Sequence, residues 1–187
     1  LSNQLGLCGI AVAEQYGGAG FGPQELAIAC EEMGRALYCG PFMASAVCAA
    51  YALSQTADDD HKQRWLPEIA SGDLIACLAV TEHAPMWSED DVQTVASSSP
   101  DGGHVLNGEK RFVIDAQVAG LILIAARNGE NQIGLYAVEA NARGLTRNAM
   151  PSMDPTRKLN QLILADTPAE HLGPVDLQDL MDYTLVA

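Results

Sequence analysis

The sequence predicts an α+β chain: a helical first third, then an antiparallel β-barrel or sandwich, then the start of further helix. Three observations carry this reading. Apolar residues recur at spacings of three and four from Leu26 to Leu37, the period changes to strand-like runs at Leu74, and turn signals then separate those runs at near-regular intervals. With 187 residues, 48% hydrophobic and 18% charged, the chain has the balance of a packed protein of one to two domains.

Taken in order, Pro23 suits the first turn of a helix carrying Leu26, Ala29, Cys30, Met33, Ala36 and Leu37 on one face. An Ala-rich helix is expected from about Met43 to Ser54. A third begins near Asp58, where three aspartates favour the positive helix start, and Pro67 is expected to break it after Leu66. Strands are expected at Leu74–Val80, Val92–Ser97, His104–Asn107, Phe112–Ile114, Leu121–Ala126, Ile133–Val138, Leu145–Met150 and Leu159–Leu164. Asp101-Gly102-Gly103, Asn107-Gly108, Asn128-Gly129 and Arg143-Gly144 punctuate them as turns. From Asp176, Leu177, Leu180, Met181, Thr184 and Leu185 share a helical face. The expected division is 1–73 helical, 74–173 β and 174–187 the start of a further helical domain, with the chain read as part of something longer.

Composition excludes several functions. Twenty-four acidic against 10 basic side chains give a formal net charge of −14, which repels nucleic-acid phosphates and anionic lipid heads. The uncharged stretch from Ala36 to Ala57 is interrupted at Gly40-Pro41 and rich in Ala and Ser, so it reads as a buried helix and not a membrane span. Five cysteines in no C-x-x-C pair argue against a disulfide framework and for a reducing cytoplasm. His61, His83, His104 and His171 have no i, i+4 partner, so no metal site is expected. Gly17-Gly18-Ala19-Gly20 lacks the Lys-Ser/Thr of a phosphate-binding loop and reads as a tight turn. Asp154-Pro155-Thr156-Arg157 reads as a turn too, and Trp87 as loop-to-core packing.

Particular words along the chain say more. Glu14-Gln15-Tyr16-Gly17-Gly18-Ala19-Gly20, Glu31-Glu32-Met33-Gly34-Arg35, Lys62-Gln63-Arg64-Trp65-Leu66-Pro67-Glu68-Ile69-Ala70-Ser71-Gly72-Asp73, Thr81-Glu82 and Leu106-Asn107-Gly108-Glu109-Lys110 follow one another in an order and spacing that resemble the acyl-CoA dehydrogenase family. The resemblance covers essentially the whole chain. It implies a helical N-terminal domain, a central β-barrel and a C-terminal four-helix domain, the last missing here, with FAD and an acyl-CoA thioester held between the last two.

In that family Thr-Glu ends the first barrel strand and leads into a glycine-rich loop whose Thr, Ser and backbone groups bond flavin and substrate. Thr81-Glu82 is intact, while His83-Ala84-Pro85-Met86-Trp87-Ser88-Glu89-Asp90 lacks the glycines. The resemblance implies flavin contacts from Leu78, Val80 and Thr81 and gives Ser88 the loop-serine role toward flavin and substrate. An aromatic wall followed by a hydroxyl near the flavin ring corresponds to Phe112, Val113 and Ile114, of which Ile114 has no hydroxyl. Alternation on a half-buried strand accounts for Phe112 and Ile114 equally well.

The implied reaction is α,β-dehydrogenation of the thioester, with an electron-transfer flavoprotein or similar acceptor and a homo- or hetero-oligomeric assembly. The family's base is a Glu of the C-terminal helical domain, so no catalytic residue is assigned here and this chain by itself is expected to be inactive and to hold FAD weakly. The altered motifs also resemble non-canonical partner subunits of hetero-oligomeric bacterial dehydrogenases acting on bulky acyl-CoA such as steroid side chains, which is the alternative reading. An oxidase or flavin monooxygenase of related fold stays open.

Overall fold

The computed structural model describes residues 5–83, 89–99 and 101–186. Two short 3-10 turns, Leu7–Gly9 and Glu14–Tyr16, precede helix α1, Pro23–Arg35. The tight turn between them and α1 is real: the Gly18, Ala19 and Gly20 N–H groups bond the Ala13, Gly9 and Val12 carbonyls. No row of free N–H groups is left there to cradle a phosphate.

Helix α2 starts π-helical over Met43–Ala49 and continues α-helical over Ala50–Thr56. Its Ala-rich surface is nearly all buried, and the Ser45 hydroxyl accepts a 3.0 Å bond from the Ala76 N–H, tying the helix to the start of the sheet. Helix α3, Asp59–Ser71, is capped by the Asp58 carboxylate, which accepts from the His61 N–H at 2.9 Å. Pro67 does not break it. An interior Pro costs about 3 kcal/mol, but burying each of Trp65, Leu66 and Ile69 stabilises by about 1.5–3 kcal/mol, so the packed face keeps the helix running to Gly72.

Seven strands follow: β1 Ala76–Ala79, β2 Val95–Ser98, β3 His104–Ile114, β4 Leu121–Arg127, β5 Ile133–Glu139, β6 Leu145–Met150 and β7 Leu159–Pro174. They close into a barrel. β4 pairs with β5, β5 with the end of β7, the start of β7 with β3, β3 with β2, and β2 returns to β4 at Val95 opposite Arg127. β6 lies along the first half of β7, and helix α4, Leu177–Val186, follows.

The expectation of an antiparallel barrel is corrected, because β1 and β2 both run parallel to β4 and the sheet is mixed. Residue alternation marks a strand but carries no information on its direction. The apolar run Leu121 to Ala126 held the missing clue, since strands buried on both faces are typical of parallel neighbours. Leu121, Leu123 and Ala125 pack outward against α2 and α3, while Ile122, Ile124 and Ala126 fill the barrel interior.

Asn107-Gly108 is not a hairpin turn either. It lies inside β3 at a bulge, where the register against β7 shifts between Leu106 and Gly108. Gly108 has φ +150°, and a Cβ there would sit 2.8 Å from the Thr94 Cα. Gly108→Ala is therefore expected to destabilise the fold by about 2 kcal/mol, the usual scale of backbone strain, read as a lower urea midpoint.

Candidate cofactor pocket

At the end of β1 the chain continues through Val80 and Thr81 into Glu82, and β3 runs beside it. Lys110 of β3 is fully buried, and its ammonium donates to the Val80 carbonyl at 3.0 Å and to Glu82 Oε1 at 2.7 Å. The same Glu82 oxygen accepts from the Thr94 N–H at 2.9 Å and the Thr94 hydroxyl at 2.7 Å, and its other oxygen from the Gln93 N–H at 2.9 Å. Burial alone would raise the Glu82 carboxyl, but the Lys110 charge and these donors outweigh it and hold the group below its ordinary value. Burial lowers the Lys110 ammonium to about 8, with Glu82 opposing the shift. Gly108 matters to this cluster because its missing side chain leaves room for Thr94.

One residue on, the Arg111 N–H donates to the Thr81 carbonyl at 2.8 Å, fixing the two segments side by side. β3 then bulges between Lys110 and Val113, and Phe112 takes a left-handed backbone, φ 56°, that leaves the residue 49% exposed. Such a conformation costs a bulky residue about 1–3 kcal/mol and persists only where neighbours over-determine it. Here the neighbours are the Thr81–Arg111 bond and the buried Lys110.

The result is a cavity of about 230 Å³ lined by Leu78, Val80, Thr81, Phe112, Val113 and Ile114, the six described residues of the seven expected at the site. The seventh, Ser88, lies outside the described residues, as does Trp87. Met43, Ala44 and Cys48 of α2, Arg111 of β3 and Met181 of α4 complete the wall, and sequence reasoning missed all five. Their placement depends on how α2 and α4 dock on the barrel, which no local pattern reports.

The pocket is apolar apart from Thr81 and Arg111. Burial raises the Cys48 thiol to about 11, so it lines the wall as a neutral group and not as a nucleophile. Among the described residues no Asp or Glu lines this cavity, and no cluster of His, Cys, Asp and Glu could hold a metal ion. The turn at Asp154-Pro155-Thr156-Arg157 forms as expected, with Asp154 Oδ1 accepting from the Thr156 N–H at 2.8 Å. No helix among the described residues is long and apolar enough to cross a membrane.

With this geometry in view, known proteins give the pocket a context. The family described as acyl-CoA dehydrogenase, N-terminal domain, matches residues 2–73. The acyl-CoA dehydrogenase FadE12 of Mycobacterium tuberculosis is 31% identical over 184 residues, covering 91% of this chain and 46% of that protein. Among solved structures, the Tcur3481-Tcur3483 steroid ACAD, in a variant form, superposes with TM-score 0.83 at 28% identity over 96% of this chain and 48% of that one. An acyl-CoA dehydrogenase complexed with FAD from Bacillus anthracis gives 0.81 at 27% identity, over 92% of this chain and 30% of that one. The chain belongs to the acyl-CoA dehydrogenase family. It spans about half the length or less of the relatives it matches.

Breaking the buried pair tests the architecture of the pocket. Glu82→Gln, which leaves Lys110 buried without its counter-charge, is expected to cost about 3–5 kcal/mol in urea unfolding. Lys110→Met is expected to cost less, because Thr94 and Gln93 still bond the carboxylate. The pH dependence follows from the lowered Glu82 value: its contribution is complete above the ordinary carboxyl pKa of 4.5 and is lost as pH falls through the folded-state value. Between pH 7 and pH 3 the wild type is therefore expected to lose stability more steeply than Glu82→Gln, measured as urea midpoints at each pH.

Proposed function

We propose that this chain forms the N-terminal helical part, residues 1–73, and the β-barrel part, residues 74–173, of an FAD-dependent acyl-CoA dehydrogenase, with residues 174–187 opening a further helical part. The observation that carries the reading is the convergence of Leu78, Val80, Thr81, Phe112, Val113 and Ile114 on one cavity. FAD fits the residues present. A flat apolar ring suits the aliphatic and aromatic walls, and one buried polar atom, Arg111 Nε, has no hydrogen-bond partner within the protein. FAD, when bound, would accept the hydride removed from the acyl β-carbon.

The chain's own residues would then bind and exclude water. Thr81 brings a hydroxyl, Phe112 a partly exposed ring, and Val80 and Leu78 an apolar floor that strengthens every polar contact made inside. Removal of the α-proton needs a carboxylate, and none of the described residues supplies one to this cavity. The base therefore belongs to residues other than these. The substrate is an acyl-CoA, the electron acceptor an electron-transfer flavoprotein or similar protein, and the working form a homo- or hetero-oligomer in the cytoplasm.

A second reading is a non-catalytic partner subunit of a hetero-oligomeric dehydrogenase. The lack of a hydroxyl at Ile114 and of glycines over residues 83–90 favours it, and the Tcur3481-Tcur3483 structure is itself named for two proteins. Absorbance of the intact protein separates the two. The enzyme reading expects a yellow protein whose 450 nm-region flavin band bleaches on adding acyl-CoA under anaerobic conditions; a colourless protein that takes up no FAD supports the partner subunit.

A further inference from the structure

Among the described residues that line the cavity, one is a cation. Arg111 is one of only 10 basic residues in a chain with 24 acidic ones, yet it lines a wall otherwise built from Thr81 and apolar side chains. Its Nε is buried and makes no hydrogen bond. Glu109 Oε1 stands 3.6 Å from it, an ion-pair contact beyond hydrogen-bond reach, while that oxygen accepts a 2.7 Å bond from the Gln161 amide. The guanidinium carbon stands 5.8 Å from the Phe112 ring centroid, so the exposed ring and the cation share one side of the pocket.

A buried donor left without a partner costs about 1–3 kcal/mol, and native structures rarely tolerate one without reason. The backbone cannot relax it away. The Arg111 N–H is fixed on the Thr81 carbonyl and its neighbour Lys110 is locked into the Glu82 cluster, while Phe112 is held left-handed on the other side. Ile114 and Val113 offer no competing donor.

We propose that Arg111 is the polar anchor of this pocket and takes an electron-rich acceptor, a carbonyl or anionic oxygen or a ring nitrogen, from the molecule that enters it. Resting on the functional reading above, two sources carry that chemistry: the acceptor edge of the flavin ring, and the thioester or acyl carbonyl of an acyl-CoA. A planar guanidinium beside an aromatic face suits either, since it can donate in its own plane while the ligand packs on Phe112.

The test uses the intact protein with two probes, FAD by fluorescence quenching and octanoyl-CoA by calorimetry on the FAD-loaded form. The variants are Arg111→Met, which removes the donor, and Arg111→Lys, which keeps the charge but not the fork. Thermal unfolding checks that both fold, and Arg111→Lys carries the test if Arg111→Met does not. An increase in the dissociation constant of about tenfold or more for FAD, with a shifted flavin visible spectrum, assigns the flavin edge; the same increase confined to octanoyl-CoA assigns the acyl carbonyl. Unchanged constants for both probes in folded variants overturn the anchor. Failure of the functional reading looks different, because the wild type itself would then bind neither probe.

Discussion

The buried Glu82–Lys110 pair is the constraint on which the rest of the pocket depends. Two opposite charges taken out of water gain little net stability over an apolar pair, but once buried they must stay together, because separating them leaves an uncompensated charge. Here each partner also bonds backbone: Lys110 bonds the Val80 carbonyl, and Glu82 bonds the Thr94 and Gln93 N–H groups. The pair therefore fixes three segments, the end of β1, the approach to β2 and the middle of β3, in one arrangement. Val80, Thr81, Arg111 and Phe112 flank its members in sequence, so their positions around the cavity are consequences of a contact that itself lies behind the wall.

That arrangement explains why the two words Thr81-Glu82 and Asn107-Gly108-Glu109-Lys110 occur together. Glu82 and Lys110 are the two ends of one contact, and Gly108 makes the space that Thr94 needs in order to bond Glu82. Read along the chain they are separate motifs. Only the fold shows that they form a single device, and that the Gly serves the carboxylate's partner and not a turn.

Much of the fold was legible. Helix α1 and strands β4, β5 and β6 lie where periodicity and turn residues placed them, because each depends on local alternation and on which face is buried. The errors have physical causes. Strand direction has no local signature, so the parallel pairing of β1 with β4 was missed. The bulge at Gly108 and the left-handed Phe112 kept His104–Ile114 one strand where two had been expected, since a local break in the pattern looks the same as an end. Pro67 was overruled by the packing of Trp65, Leu66 and Ile69, a tertiary effect that outweighs a single lost hydrogen bond.

The site was legible to a different degree. Six residues that line the candidate pocket are ones the family resemblance names, which works on words and not on physics, and they sit on β1, on β3 and in the segment that follows β1. What the words do not contain is the far wall, built by the π-helical start of α2 and by Met181 on α4. Nor do they mark Arg111, which on an isolated strand would be one more solvated charge. It stands out by the company it keeps: a chain of net charge −14, a neutral Cys48, a floor of Leu78 and Val80, and, among the described residues, no carboxylate within hydrogen-bond reach of its buried nitrogen. Such a cavity offers a ligand apolar walls and one cation, and among its described lining residues there is no carboxylate to act as a base.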